Sequence, residues 1–74
     1  NMKNYIVFFL KSDGTSDSTS ADYITLKDFD SFPTKSELIK SAIEKIGSSN
    51  GRIRFKGISG IIEVSEEDLN NWKQ

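Results

Sequence analysis

The residues on which most enzymes rely for acid–base and nucleophilic chemistry are missing from this chain. It contains no histidine and no cysteine, so it has no imidazole that titrates near neutral pH, no thiolate nucleophile and none of the usual zinc ligands. Two serine–lysine pairs stand one helical turn apart, Ser36 with Lys40 and Ser41 with Lys45. Both are expected on a solvated helix face, where nothing activates the lysine as a base. We therefore predict no catalytic residue, no metal site and no cofactor.

Positive charge is concentrated in the middle of the chain. Residues 33–57 carry a net charge of +4, whereas residues 1–32 carry −2 and residues 58–74 carry −3. Arg52, Arg54 and Lys56 alternate with apolar residues, which is the period of a half-buried strand. We expect these three residues, here called the basic row, to project from one strand face about 6.5–7 Å apart. Lys40 and Lys45 are expected near the row.

Three interpretations of the basic row stay open at the level of sequence. Its charges can protect a solvated edge strand from aggregation, or they can contact an acidic protein partner. They can also follow the phosphates of a single-stranded nucleic acid, with Tyr23 or Phe55 as a stacking platform. The net charge of −1 and the isoelectric point of about 5.3 disfavour the nucleic acid, because nucleic-acid-binding domains are usually basic overall.

Two short motifs are better explained by structure than by binding. The carboxylates of Glu63, Glu66, Glu67 and Asp68 stand around a predicted helix start, where negative charge offsets the helix dipole. Residues 57–60 spell Gly-Ile-Ser-Gly, which resembles the GxxG loop by which KH domains clamp a nucleic-acid backbone. Strands are predicted on both sides of this segment, so we expect a hairpin turn there.

Four strands and two helices are predicted to position these residues. The strands cover residues 4–11, 22–27, 52–56 and 61–64, and the polar segment 12–21 between the first two is predicted to be a mobile hairpin loop. The main helix covers residues 35–46, with Thr34 and Glu37 as a capping box and Gly47 at its end. Ser65 begins a short C-terminal helix.

This order of elements, β-β-α-β-β-α, predicts an α+β fold in a single small domain over residues 1–74. A right-handed crossover would place the fourth strand parallel to the first, in a four-stranded mixed sheet of order 2-1-4-3 with the main helix on one face. That order is similar to the β-grasp fold. An antiparallel meander of order 2-1-3-4 is the alternative.

The first strand is apolar on both of its faces, from Tyr5 to Leu10. The main helix covers only one face of the sheet, so something else must cover the other. Leu69 and Trp72 on the short helix are candidates for that cover. They are equally candidates for the anchor of an interface with a partner or a second copy of the chain.

We expect a small non-enzymatic binding or regulatory module that contacts a protein partner. A single-stranded nucleic-acid binder and a structural homodimer are the alternatives. The apolar run is too short to span a membrane, and the absence of cysteine is typical of cytoplasmic proteins. Lysine outnumbers arginine eight to two, which is typical of genes from low-GC bacteria and their phages. Asn1 stands before Met2, and we interpret it as a vector remnant.

Overall fold

The first strand lies at the centre of a three-stranded antiparallel sheet. In the computed structural model, which describes all 74 residues, the order is β1 (Lys3–Asp13), β2 (Ser18–Phe29), α1 (Lys35–Ile46), β3 (Ile53–Val64) and α2 (Glu66–Trp72). The sheet has the order β2-β1-β3, and both pairings are antiparallel. The central position predicted for β1 is confirmed. The prediction of a four-stranded mixed sheet of order 2-1-4-3 is wrong, and the predicted similarity to the β-grasp fold is therefore wrong as well.

The error arises in β3, which is one long strand where the sequence predicted two strands joined by a hairpin. Gly57 and Gly60 lie inside β3, opposite Leu10 and Phe8 of β1. The register against β1 shifts twice, once beside each glycine, which leaves Lys56 and Ser59 as additional residues on β3. These glycines therefore serve β-bulges and not a chain reversal.

The hairpin predicted at residues 12–21 is confirmed, but its loop is shorter than the polar composition indicated. β1 and β2 extend into it from both sides, and only Gly14–Asp17 forms the turn. The Asp13 carboxylate accepts hydrogen bonds from the N–H of Thr15 at 2.9 Å and from its hydroxyl at 2.6 Å. Strand residues exposed to water on both faces carry no alternation of apolar residues, so hydrophobic patterning misses them.

α1 packs against one face of the sheet and closes the core. Its bounds agree with the prediction, as does the reciprocal capping box of Thr34 and Glu37, with N···O distances of 2.8 and 3.1 Å. Gly47 ends the helix at φ 68°, and its N–H donates to the oxygen of Ile43. Neither helix is long and apolar enough to cross a membrane. The buried core residues are Tyr5, Val7, Phe9, Ile24, Leu26, Leu38 and Ala42.

α2 lies against the other face of the sheet. Its Leu69 is fully buried, and the Trp72 ring meets the rings of Phe8 and Tyr23 edge-on at centroid distances of 6.0 and 5.3 Å. The Ser65 hydroxyl caps the helix by accepting from the N–H of Asp68 at 3.0 Å. The chain thus covers part of the second face by itself.

Candidate functional site

The basic row lies along the outer side of the sheet, at the start of β3. Arg52 immediately precedes the strand, and Arg54 and Lys56 are within it. All three are exposed, while Ile53 and Phe55 between them are half-buried. Lys56 is the additional residue of the first bulge, so the regular spacing expected for a flat strand ends after Phe55.

Half of the cationic side chains of the molecule are neutralised by ion pairs. Arg52 has its Nε 4.0 Å from the Asp13 carboxylate, and the Nε of Arg54 donates to the main-chain oxygen of Gly51 at 3.2 Å. Five of the ten cationic side chains make an ion pair, and five make none. The five without one are Lys35, Lys40, Arg54, Lys56 and Lys73.

Of the two lysines that the sequence placed near the basic row, Lys45 lies elsewhere and Lys40 makes no polar contact with the row. Lys45 is at the opposite edge of the sheet, where its Nζ donates to the main-chain oxygen of Tyr23 on β2. Lys40 is exposed on α1 and contacts no residue of the row through a hydrogen bond or ion pair. The prediction that Lys45 joins the row is wrong, because α1 spans the sheet and its sides face different strands.

An apolar groove of about 420 Å³ opens between the start of α1 and β3. Phe32, at the mouth of the groove, is 63% exposed, and Lys35 is its only charged lining residue. We call this feature the α1–β3 groove. Its lining residues are Phe32, Pro33, Lys35, Leu38, Ile39, Phe55, Gly57 and Ile58.

The sequence did not reveal this groove. Phe32 and Pro33 stand directly before the N-cap Thr34, a position in which apolar residues are normally taken to staple the helix start. Pro33 is buried accordingly. Phe32 instead leans edge-on against Tyr5, with ring centroids 5.5 Å apart, and leaves most of its surface in water.

Two carboxylates hold the backbone, Asp13 at the hairpin end of the central strand β1 and Asp22 on the edge strand β2, and both are ionised at neutral pH. Hydrogen bonds from the hydroxyl and N–H of Thr15, helped by the charge of Arg52, lower the pKa of Asp13. Partial burial pushes the pKa of Asp22 upward. The hydrogen bond from Lys11, the N–H of Tyr23 and the charge of Lys45 outweigh that effect, so the pKa of Asp22 lies below 3.8.

The two aromatic residues expected to serve as a stacking platform are not assembled beside the basic row. Tyr23 lies on β2, across the sheet from β3, where Trp72 and Lys45 both contact its ring. Phe55 is half-buried and packs against Phe9 at a centroid distance of 6.2 Å. Neither ring offers a face for bases along Arg52, Arg54 and Lys56.

The two residues proposed as interface anchors differ in accessibility. Leu69 is fully enclosed by the fold, whereas Trp72 is 45% exposed after its contacts with Phe8 and Tyr23. Leu10 and Ile62 are also partly exposed on the same face of the sheet. Only Trp72 of the proposed pair can therefore meet a partner without unfolding of α2.

Comparison with known protein families, curated proteins and solved structures found no match for this chain. The surface around β3 is therefore interpreted from its own geometry and charge.

Proposed function

We propose that this protein is a non-enzymatic binding module and that it contacts a protein partner through the β3 side of the molecule. The observation that supports this most is the coincidence of two features there. Arg54 and Lys56 lack ion pairs, and Phe55, the residue between them, lines the α1–β3 groove, whose apolar side chains are open to water. Apolar groups surrounded by charged ones are typical of a protein-binding site.

The lining of the groove supports a binding role over catalysis. Lys35 is its only titratable side chain, so the groove holds no pair of groups that could exchange a proton with a substrate. The chain has neither histidine nor cysteine to supply such a group from elsewhere.

The overall charge favours a protein partner over a nucleic acid. Only four cations lie near β3 or on the exposed side of α1 without an ion pair, and the chain as a whole is acidic. A nucleic-acid site of this size normally adds stacking aromatic rings, and Tyr23 and Phe55 do not supply them here. Binding of an acidic protein surface requires only the unpaired cations and the apolar groove.

Charge reversal tests this proposal. The double variant R54E/K56E removes the two unpaired charges of the row and spares Arg52, whose ion pair with Asp13 supports the hairpin. The matched control K40E/K73E makes the same change in net charge at two other unpaired lysines. The tagged wild type and both variants are used for affinity capture from cells that naturally produce the protein, and the captured proteins are measured by quantitative mass spectrometry.

We expect at least one protein to be enriched by the wild type and the control and lost with R54E/K56E, with unchanged circular dichroism. Failure to find any protein with that pattern would contradict the proposal. Binding of labelled oligothymidylate at low salt that disappears in R54E/K56E would favour the nucleic-acid alternative. A mass of two chains in light scattering would favour the homodimer.

A further inference from the structure

On each outer edge of the sheet, a side chain satisfies the outward backbone groups of one residue. On β2, Lys45 occupies the outward-facing oxygen of Tyr23. On β3, the Ser49 hydroxyl accepts from the N–H of Ile53 at 2.9 Å and reaches its oxygen at 3.5 Å, so the peptide groups of Ile53 face outward. Outward and inward pairs alternate along an antiparallel strand, so those of Phe55 face outward too. No side chain hydrogen-bonds to them.

The open part of the β3 edge lies directly beside the α1–β3 groove. Phe55 contributes both the outward backbone groups and a side chain of the groove lining. A strand placed along this edge would direct alternate side chains to the face that α1 occupies. The groove volume of about 420 Å³ gives room there for a large apolar side chain.

The charges around the groove complement an acidic segment. Lys35 lines the groove, and Lys56 lies between the lining residues Phe55 and Gly57. Neither lysine has an ion pair, and no acidic side chain lines the groove. Carboxylates on a bound segment would therefore meet cations that nothing in the chain neutralises.

We propose that an extended acidic peptide segment adds to the outer edge of β3 at Phe55 and inserts one large apolar side chain into the α1–β3 groove. This inference rests on the proposed function and names the chemistry of the partner. Main-chain hydrogen bonds supply part of the affinity in such strand addition, and the pocket supplies specificity. The bulge at Lys56 ends regular pairing, so the added strand is short.

Bulges and lysines on an edge strand also protect a protein from self-association, and both are present in β3. Protection alone leaves two observations without a reason. Protection from self-association does not explain the apolar groove beside the edge. It also does not explain why Phe32, which lines that groove, has 63% of its surface in water. A peptide with an apolar anchor accounts for both.

Selection from a random linear peptide library displayed on phage tests the inference with the intact chain as bait. The groove variant is Phe32→Asp, at a side chain that is 63% exposed, and circular dichroism checks that it folds. Its matched control is Ile62→Asp on the other face, where the side chain is 48% exposed. The charge variant is K35E/K56E, with K40E/K73E as its control. Affinities of the selected peptides are measured by fluorescence anisotropy.

We expect selected peptides to combine acidic residues with one large apolar residue. Their affinity should fall about tenfold or more in Phe32→Asp and in K35E/K56E, with little change in either control. Binding should also slow hydrogen exchange at the Phe55 N–H. Peptides that bind without protecting this amide would overturn strand addition.

Two further outcomes separate this inference from the proposed function. Selection that yields no peptide preferring the wild type to Phe32→Asp would overturn the groove as a peptide site. Loss of the captured cellular partner in R54E/K56E, together with its full retention by Phe32→Asp, would leave the proposed function standing and overturn the inference.

Discussion

The Nζ of Lys45 donates a 2.7 Å hydrogen bond to the main-chain oxygen of Tyr23, so a side chain of α1 occupies the outer edge of β2 at this residue. The same ammonium lies 3.4 Å from the Asp22 carboxylate and 4.6 Å from the centroid of the Tyr23 ring. An edge strand with unsatisfied peptide groups is a template for pairing with another chain. Lys45 thus closes the β2 edge at Tyr23, as Ser49 closes the β3 edge at Ile53, and the β3 edge at Phe55 stays open beside the groove.

Replacement of Lys45 by methionine should weaken the fold only modestly. The variant keeps the apolar stem and loses the hydrogen bond to Tyr23 and the ion pair with Asp22. We expect the free energy of unfolding in urea to fall by about 1 kcal/mol or less, because the side chain is 42% exposed and water screens the pair,. The matched change Lys40→Met, at a lysine without an ion pair, should shift it by less than about 0.5 kcal/mol. Equal losses in the two variants would contradict a role for Lys45 at the edge.

The Asp22 carboxylate should make the stability of the fold depend on pH in the acid range. Its folded-state pKa lies below 3.8, so the folded state favours the ionised form more than the unfolded state does. This stabilisation is complete above about pH 4 and is lost as the pH falls through the lower folded-state pKa. The depressed pKa values of Asp13 and Glu37 act in the same direction.

Urea unfolding at a series of pH values measures this effect. Asp22→Asn should be less stable than the wild type at neutral pH, and the difference should shrink as the pH falls below about 4. Asp30→Asn, at an exposed carboxylate without an ion pair, serves as the control. A difference between Asp22→Asn and the wild type that stays constant down to the most acid pH would show that Asp22 contributes no proton linkage.

Leu69 should hold α2 against the sheet. This helix has only seven residues, so it depends on packing and not on its own propensity. Leu69→Ala removes a fully buried side chain and should cost about 2–5 kcal/mol. The fluorescence of Trp72, the only tryptophan, should shift to the red in native buffer as its contacts with Phe8 and Tyr23 loosen. Asn70→Ala, at an exposed position of the same helix, should change neither quantity, and an unshifted Leu69→Ala spectrum would show that α2 docks without Leu69.

The parts of this fold that could be predicted from sequence are those specified by neighbouring residues. The bounds of α1 follow from Thr34, Glu37 and Gly47, whose caps depend on residues within one turn,. The apolar run of β1 likewise predicted a central strand, because burial on both faces leaves no polar position in the pattern.

The parts that were wrong depend on residues distant in the chain. A glycine pair three residues apart is compatible with a hairpin turn and with two bulges. Only the pairing of Gly57 with Leu10 and of Gly60 with Phe8 decides between them. The α1–β3 groove is non-local in the same sense, since Phe32 and Phe55 meet there only after the sheet has formed.

Asn4 is the only buried side chain in the core that is polar and not aromatic, and it compensates for an irregularity in β2. The register of β1 against β2 shifts between Lys3 and Tyr5, where β2 carries an additional residue. Asp28 adopts a positive φ of 63° there, and its N–H donates to the Asn4 amide oxygen at 3.0 Å. A side chain thus replaces the strand partner that the bulge removes.

Asn4→Ala should therefore destabilise the fold by about 1 kcal/mol, because it removes the acceptor of the Asp28 N–H from a partly buried hydrogen bond,. Hydrogen exchange at this N–H should accelerate beyond the change expected from the lower global stability. Asn71→Ala, at an exposed position of α2, should leave both measurements unchanged. Asn4 also lies opposite Val64 of β3. A loss of stability without faster exchange at the Asp28 N–H would therefore show that Asn4 acts through its contacts with β3 and not through the bulge.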